Sequence, residues 1–377
     1  MAASLQDLLT VMVERGASDL HLSCGTYPQI RVNGSLEALE AFETLMPSDT
    51  QRLIYGMLTE AQQRHLEKGN DLDLSFGIEH LARFRCNVYR QRGVLCAAMR
   101  MIPYQVRSFE ELQLPPVVAQ LAEKHSGLVL VTGPTGSWKS TTLAAMIDKI
   151  NSERRAHIVT VEDPIEFVHQ HKKSLVHQRE ILSDTPSFRD ALKSIPREDP
   201  DVVLVGEMRD LETIAATLTV AETGHLTFAT LHTNSCAQTI TRIVDVFPTA
   251  QQAQVRAQLS LVLEGVLSQN LLPTVDGNGR VMAMEVMVPT MAIRNLIRQE
   301  KVHEIYSSLQ SGGKLGMQTM SQSLADLVRA EKITKAEALA RAPQPEEVAA
   351  LLGGSGTGAS PTGTSYPGGL ADRLKTK

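Results

Sequence analysis

Ten residues in mid-chain, GPTGSWKSTT at 133–142, follow an apolar run and open a helical one. Gly133, Lys139 and Ser140 fall where a phosphate-binding loop of the pattern G-x-x-x-x-G-K-[ST] needs them. In such a loop, backbone N–H groups and the positive end of the following helix cradle phosphates. Lys139 would then reach the β- and γ-phosphates of ATP, and Ser140 would hold Mg²⁺. The candidate nucleotide contacts are Gly133, Thr135, Gly136, Ser137, Trp138, Lys139, Ser140 and Thr141. Trp138, the single tryptophan of the 377-residue chain, stands where the pattern has its second glycine. A glycine there lets the backbone approach phosphate without a Cβ in the way. An indole in its place is expected to reduce ATP binding or turnover severely.

Three further segments carry compatible chemistry. VEDPIEF follows the apolar run HIVT, so Glu162, Asp163 and Glu166 would project from the carboxyl end of a strand, where open α/β sheets bind ligands. Such carboxylates can hold magnesium, or orient and deprotonate the attacking water. DVVLVGE ends an apolar strand on Glu207, the logic of an acid that meets the metal directly or through water. GHLTFATLHT places His225 and His232 around one strand, as candidates for γ-phosphate sensing or contact with a neighbouring subunit. Guanidinium groups offset transition-state charge in phosphoryl transfer. Arg83, Arg85, Arg90 and Arg92, all in one expected hairpin, and Arg242 after the histidine segment are the candidates for that task.

The elements that must carry these residues are legible. GLVLVTG, HIVTVED, DVVLVGEMRD and HLTFATLHT are short, nearly continuous apolar runs, as in strands buried on both faces. Helical patterns alternate with them, which predicts an α/β unit with a mostly parallel sheet covered on both sides. From AQQAQVRAQLSLVLEGVLSQ onward the pattern reads as largely helical, interrupted by the strand-like VMAMEVMVP. The helix beginning near Ser187 is expected to stop before Pro196. Upstream, LQDLLTVMVERG has helical spacing. DLHLS, QIRVNGSLEAL, DLDLSFG and RFRCNVYRQRGVLCAAMRMI alternate like strands, with Asn33-Gly34 as a hairpin signal. The expected division is an α+β unit over 1–102, a proline-punctuated connector over 103–125, the α/β unit over 126–352 and a Gly/Ser/Thr/Pro-rich disordered tail over 353–377.

Composition narrows the function classes. The formal net charge is −5, and no basic stretch interleaved with aromatics occurs, so nucleic acid is not an expected partner. No run approaches the ~20 apolar residues that span a bilayer, so no direct membrane insertion is expected and any membrane association would come through a partner. Cys24, Cys86, Cys96 and Cys236 are scattered without zinc-ligand spacing and read as reduced thiols of a cytosolic protein.

In order, GPTGSWKST, VEDPIEF, REDPDVVLVGEMRD and ETGHLTFATLHT resemble the Walker A, Asp-box, Walker B and His-box series of the type II/IV secretion ATPases. AIRNLIR at 292–298 is similar to the signature of the PilT-type twitching-motility retraction ATPases within that family. The resemblance extends from the amino terminus to about Leu352. It implies a PAS-like amino-terminal domain followed by a RecA-like ATPase domain, assembled as a homo-hexameric, ATP-driven ring at the cytoplasmic face of the inner membrane, at the base of a type IV pilus. Its implied partners are the inner-membrane platform protein of the pilus and a related retraction ATPase. By the same resemblance Lys139 and Ser140 bind phosphate and magnesium, Glu166 activates water, Glu207 is the Walker-B acid, and His225 with His232 form the His box. Arg294, Asn295 and Arg298 of AIRNLIR would serve retraction rather than hydrolysis. The alternative is a ring subunit of the same fold that assembles and docks without hydrolysing ATP.

Overall fold

The computed structural model describes residues 4–32, 34–69, 71–78, 81–102, 106–277 and 279–353. The chain divides into two compact units, one of Met1–Leu271 with Met282–Thr319, the other of Leu272–Val281 with Met320–Lys377. The fold is mixed α/β, with a smaller amino-terminal sheet and a larger sheet covered by helices.

Six strands form the first sheet: β1 (Asp19–Leu22), β2 (Gln29–Val32), β3 (Ser35–Ala38), β4 (Leu72–Ile78), β5 (Ala82–Gln91) and β6 (Val94–Ile102), in the order β3-β2-β1-β6-β5-β4. All neighbours are antiparallel, and Val32 pairs with Ser35 across the expected hairpin, whose Asn33 lies outside the described residues. Helix Leu5–Glu14 starts at a capping box in which Ser4 and Asp7 exchange hydrogen bonds. Its Leu8, Leu9 and Met12 join Leu20, Phe84 and Met99 in the core. The helices Pro47–Tyr55 and Glu60–Glu67 are additions to the sequence expectation.

The second sheet holds β7 (Gly127–Thr132), β8 (His157–Glu162), β9 (Leu175–Glu180), β10 (Val202–Val205), β11 (Leu226–Leu231), β12 (Leu263–Pro273) and β13 (Arg280–Met287). Their order is β13-β12-β7-β11-β10-β8-β9, and every pair from β12 to β9 is parallel. Strand alternation splits the core into two layers. Leu128, Leu130, Val203 and Val205 face one layer, with Ile214, Leu218 and Leu259 from the helices there. Val129, Val131, Val202 and Leu204 face the other, with Leu143, Met146 and Ile147 of the helix Lys139–Glu153. Both faces being dry explains why these strands read as unbroken apolar runs.

Two segments depart from expectation. Helix Thr249–Val262 ends where Leu263 turns extended, and residues 263–273 form a strand beside β7 instead of continuing as helix. Gly265 packs there against Leu121, where a Cβ would lie 2.6 Å from a Leu121 methyl and force that side chain to shift. Tertiary packing thus overrides the helical periodicity. β9 escaped notice because it is an edge strand with polar residues at His177, Gln178 and Arg179. Around Pro196 the expectation holds: helix Phe188–Ser194 gives way to a 3₁₀ turn over Ile195–Arg197.

The second unit packs Leu324, Ala325, Ile333, Ala338 and Val348 from the helices Met320–Arg329, Lys335–Arg341 and Pro345–Leu351 and the segments between them. Apart from Gly353, the tail anticipated over 353–377 lies outside the described residues, as do Pro103 and its two successors in the connector. The cysteines are unpaired, and all but Cys24 are buried.

Candidate active site at the carboxyl ends of the parallel strands

β7 delivers the chain to Gly133, whose φ of +140° belongs to glycine alone; a Cβ there would meet the Gln269 carbonyl oxygen at 2.3 Å. The loop then turns so that helix Lys139–Glu153 begins on Lys139. Trp138 occupies the position before it in the left-handed region, φ +66° and ψ +27°. For a bulky residue that backbone is strained by about 1–2 kcal/mol. The half-buried indole lines the cavity described below, and the Arg107 guanidinium of the connector lies over its ring, 5.2 Å from the centroid. Lys139 is buried and its Nζ donates to the carbonyls of Gly133 (2.9 Å) and Pro134 (3.1 Å). Burial lowers the lysine pKa, only partly countered by the charges of Glu207 and Glu166.

β8 ends on Glu162, and the turn Asp163–Glu166 follows. The Glu162 carboxylate is fully engaged: Thr160 Oγ1 (2.6 Å) and Gln178 Nε2 (3.2 Å) donate to Oε1, and the Glu166 N–H donates to Oε2 (3.2 Å). Removal from water pushes the Glu162 carboxyl from 4.5 up to about 7 against the pull of those bonds. In contrast, among the described residues the Glu166 carboxylate accepts no hydrogen bond and forms no ion pair, and it lines the cavity.

Because Glu162 binds its proton more tightly in the folded chain, its protonation favours folding at acid pH, and that contribution is lost as pH rises through about 7. Glu162→Gln is therefore expected to flatten the decline of thermal stability between about pH 5 and about pH 8. Melting curves across that range check this; parallel curves for the two chains would refute it.

Glu207 sits two residues past β10. Its Oε2 meets Arg209 Nη2 at 2.8 Å and its Oε1 meets His232 Nε2 at 3.1 Å. Burial raises its pKa, but the hydrogen bond and charge of Arg209, followed by those of His232, outweigh that and hold the carboxyl below the usual range. Thr230 Oγ1 donates to the Gly206 carbonyl, tying the ends of β10 and β11 together.

These groups surround one cavity of about 440 Å³. Thr135, Gly136, Trp138, Lys139, Ser140 and Thr141 contribute from the loop and helix, Glu162, Asp163, Glu166, Glu207 and His232 from strand ends. Arg85 reaches it from β5. Arg209 and His169 line it too, although sequence reading passed over them. Arg209 follows Glu207 too closely to stand out by pattern. His169 lies in an irregular segment; burial drops its ring to about 4, so it is a neutral imidazole.

Several expected residues are elsewhere. Gly133 and Ser137 shape the loop from beneath without lining the cavity. His225 stands at the amino end of β11, where its Nδ1 is 3.0 Å from the Val220 carbonyl and from Thr223 Oγ1. A whole strand, about 20 Å long, separates it from the loop end of the sheet. Arg83 binds Ser75 and Glu180, Arg90 donates to the Gly93 carbonyl, and Arg92 occupies the β5–β6 turn at φ +52°. Of the hairpin arginines, only Arg85 reaches the cavity. Arg242 lines an adjacent cavity of about 490 Å³ that shares Glu207, Arg209 and His232 with the first.

In the helix Met291–Arg298, Ile293 and Ile297 are buried, and Asn295 and Arg298 are exposed and bonded to each other. Arg294 turns inward, donating to the carbonyls of Pro289, Ser260 and Leu261 and pairing with Glu264 at 2.7 Å. It is therefore a tie between this helix and the end of helix Thr249–Val262. Arg294→Ala is expected to cost about 2 kcal/mol, since three carbonyls lose this donor and the Glu264 carboxylate is left with Lys124, 2.9 Å away, as its ion-pair partner. Urea unfolding checks the value, and a loss near zero would refute the tie.

Residues 2–341 match the family described as Type II/IV secretion system protein. The chain belongs to this family. Within it, the chain is 49% identical over 342 residues to the type IV pilus retractation ATPase PilT of Pseudomonas aeruginosa, covering 91% of this chain and 99% of that protein. It is 50% identical over 321 residues to a twitching motility protein of Neisseria gonorrhoeae, covering 85% of this chain and 86% of that one. The crystal structure of the pilus retraction motor PilT with bound ADP superposes with a TM-score of 0.86 at 49% identity, covering 92% of this chain and 98% of that chain. The chain is thus a retraction-type ATPase of the family. Among the described residues, no helix is long and apolar enough to cross a membrane.

Proposed function

We propose that this chain is a subunit of a hexameric, ATP-driven motor that powers type IV pilus retraction, and that Trp138 slows its hydrolysis. In this reading the amino-terminal sheet is the PAS-like domain and the larger sheet the RecA-like core. The ring works at the cytoplasmic face of the inner membrane against the platform protein, beside a related retraction ATPase. The observation that carries the catalytic reading is the convergence of Lys139, Ser140, Glu166, Glu207 and His232 on one cavity.

The residues divide the work. Loop N–H groups and the start of helix Lys139–Glu153 hold the β- and γ-phosphates. Lys139 exchanges its carbonyl acceptors in the loop for phosphate oxygens. Glu166, with its oxygens uncommitted, orients and deprotonates the attacking water. Arg85 brings positive charge from the amino-terminal sheet. Among the described residues no cluster of three or more His, Cys, Asp or Glu side chains could hold a metal alone. That fits magnesium, which binds through one or two protein oxygens plus phosphate and water, here Ser140 and Glu207. When bound, the ion would offset charge on the phosphate oxygens.

The left-handed backbone at Trp138 favours a second reading, in which the subunit binds its ring neighbours without turning over ATP. Phosphate release by the Trp138→Gly chain, with sedimentation to give its assembly state, tests the motor. Hydrolysis by a six-fold assembly is expected; a monomer, or no hydrolysis, overturns it.

A further inference from the structure

Glu180 ends β9 with its side chain almost wholly enclosed, at 4% exposure, yet it lies outside the cavity. Its carboxylate gathers donors from two places. From the amino-terminal sheet, the Ser75 hydroxyl on β4 approaches Oε1 at 2.6 Å and Oε2 at 2.7 Å. Arg83 on β5 donates to Ser75 Oγ at 2.7 Å and lies 3.4 Å from Oε2. From the acidic turn, the Ile165 N–H donates to the same Oε2 at 3.2 Å.

Both sides of this junction lead directly to the cavity. Ile165 precedes Glu166 in the chain. Arg83 and Arg85 are two apart on a strand and project from the same face. Ser75 and Arg85 are also direct cross-strand partners in the β4–β5 ladder. One buried carboxylate therefore ties the strand pair that carries Arg85 to the turn that carries Glu166.

We infer that Glu180, Ser75 and Arg83 are positioning residues, a pin that sets Arg85 and Glu166 in mutual register across the nucleotide cavity. A charged carboxylate nearly out of water needs such donors to offset its desolvation. Separating the amino-terminal sheet from the acidic turn would leave it short of them. The pin thus makes the arginine and the water-activating acid arrive together. This inference rests on the assignment of Glu166 and Arg85 to ATP hydrolysis.

Ser75→Ala tests the pin with the least disturbance, because it removes one hydroxyl. In the Trp138→Gly chain it is expected to lower kcat for ATP about tenfold with KM changed less than about twofold, as misplacement by a fraction of an ångström does. Combined with Arg85→Ala, the further loss from Ser75→Ala is expected to shrink to about threefold, since the part of the pin's effect that runs through that arginine is already gone. Independently of turnover, amide exchange over 163–166 is expected to quicken about tenfold in Ser75→Ala. Multiplicative losses in the double variant, or unchanged exchange over 163–166, would overturn the pin. If the Trp138→Gly chain hydrolyses no ATP, the motor assignment fails, and the exchange measurement still decides whether the pin exists.

Discussion

Trp138→Gly is expected to raise steady-state ATP hydrolysis at least about tenfold over the chain as it stands, because phosphate cradling depends on close backbone approach. The backbone at this position is left-handed, φ +66°, which glycine adopts freely and tryptophan does not. The side chain also occupies a wall of the 440 Å³ cavity directly before Lys139. Two energies compete in stability. The substitution relieves about 1–2 kcal/mol of left-handed backbone cost and loses about 0.5–1 kcal/mol from the Arg107 stack. A gain in turnover should therefore come without a large drop in melting temperature. Phosphate-release kinetics on the two chains, with ATP affinity measured beside them, give the answer. Equal turnover would remove the loop-impairment argument.

The second large effect concerns which carboxylate handles the water. In the Trp138→Gly chain, Glu166→Gln is expected to reduce kcat by about 10²–10⁴ while ATP affinity stays near its starting value. Glu162 is a poorer candidate, although it stands only four residues away at the tip of β8. Its two oxygens already accept from Thr160, Gln178 and the Glu166 N–H, and burial lifts its carboxyl to about 7. Glu207 is committed to Arg209 and His232. Glu166 and Asp163 are the cavity carboxylates free of hydrogen bonds and ion pairs among the described residues, and Asp163 lies within the electrostatic reach of the Arg209 guanidinium. Should Glu162→Gln abolish turnover while Glu166→Gln leaves it intact, the assignment would be reversed.

The pattern of the phosphate loop, and the order of acids and histidines after it, could be read from the residues because each sits at a fixed distance from an apolar strand. Those strands are buried on both faces, so their composition alone marks them. The same logic failed at two segments. β9, which supplies Glu180, is a polar edge strand, and 263–273 carried a helical rhythm until packing beside β7 drew it into the sheet.

Local sequence thus determined the nucleotide chemistry: Lys139 and Ser140 at a strand-to-helix turn, and carboxylates at strand ends. The tertiary structure alone decided which like residues share that chemistry. Arg83, Arg85, Arg90 and Arg92 are equivalent as sequence, and only the placement of β5 against the larger sheet sends Arg85 to the cavity and Arg83 to Glu180. His225 and His232 are likewise a matched pair on paper, parted by the length of β11. Spacing along a chain records which residues belong to one element. Which end of that element, and which face, meets the site depends on contacts with segments far away in sequence.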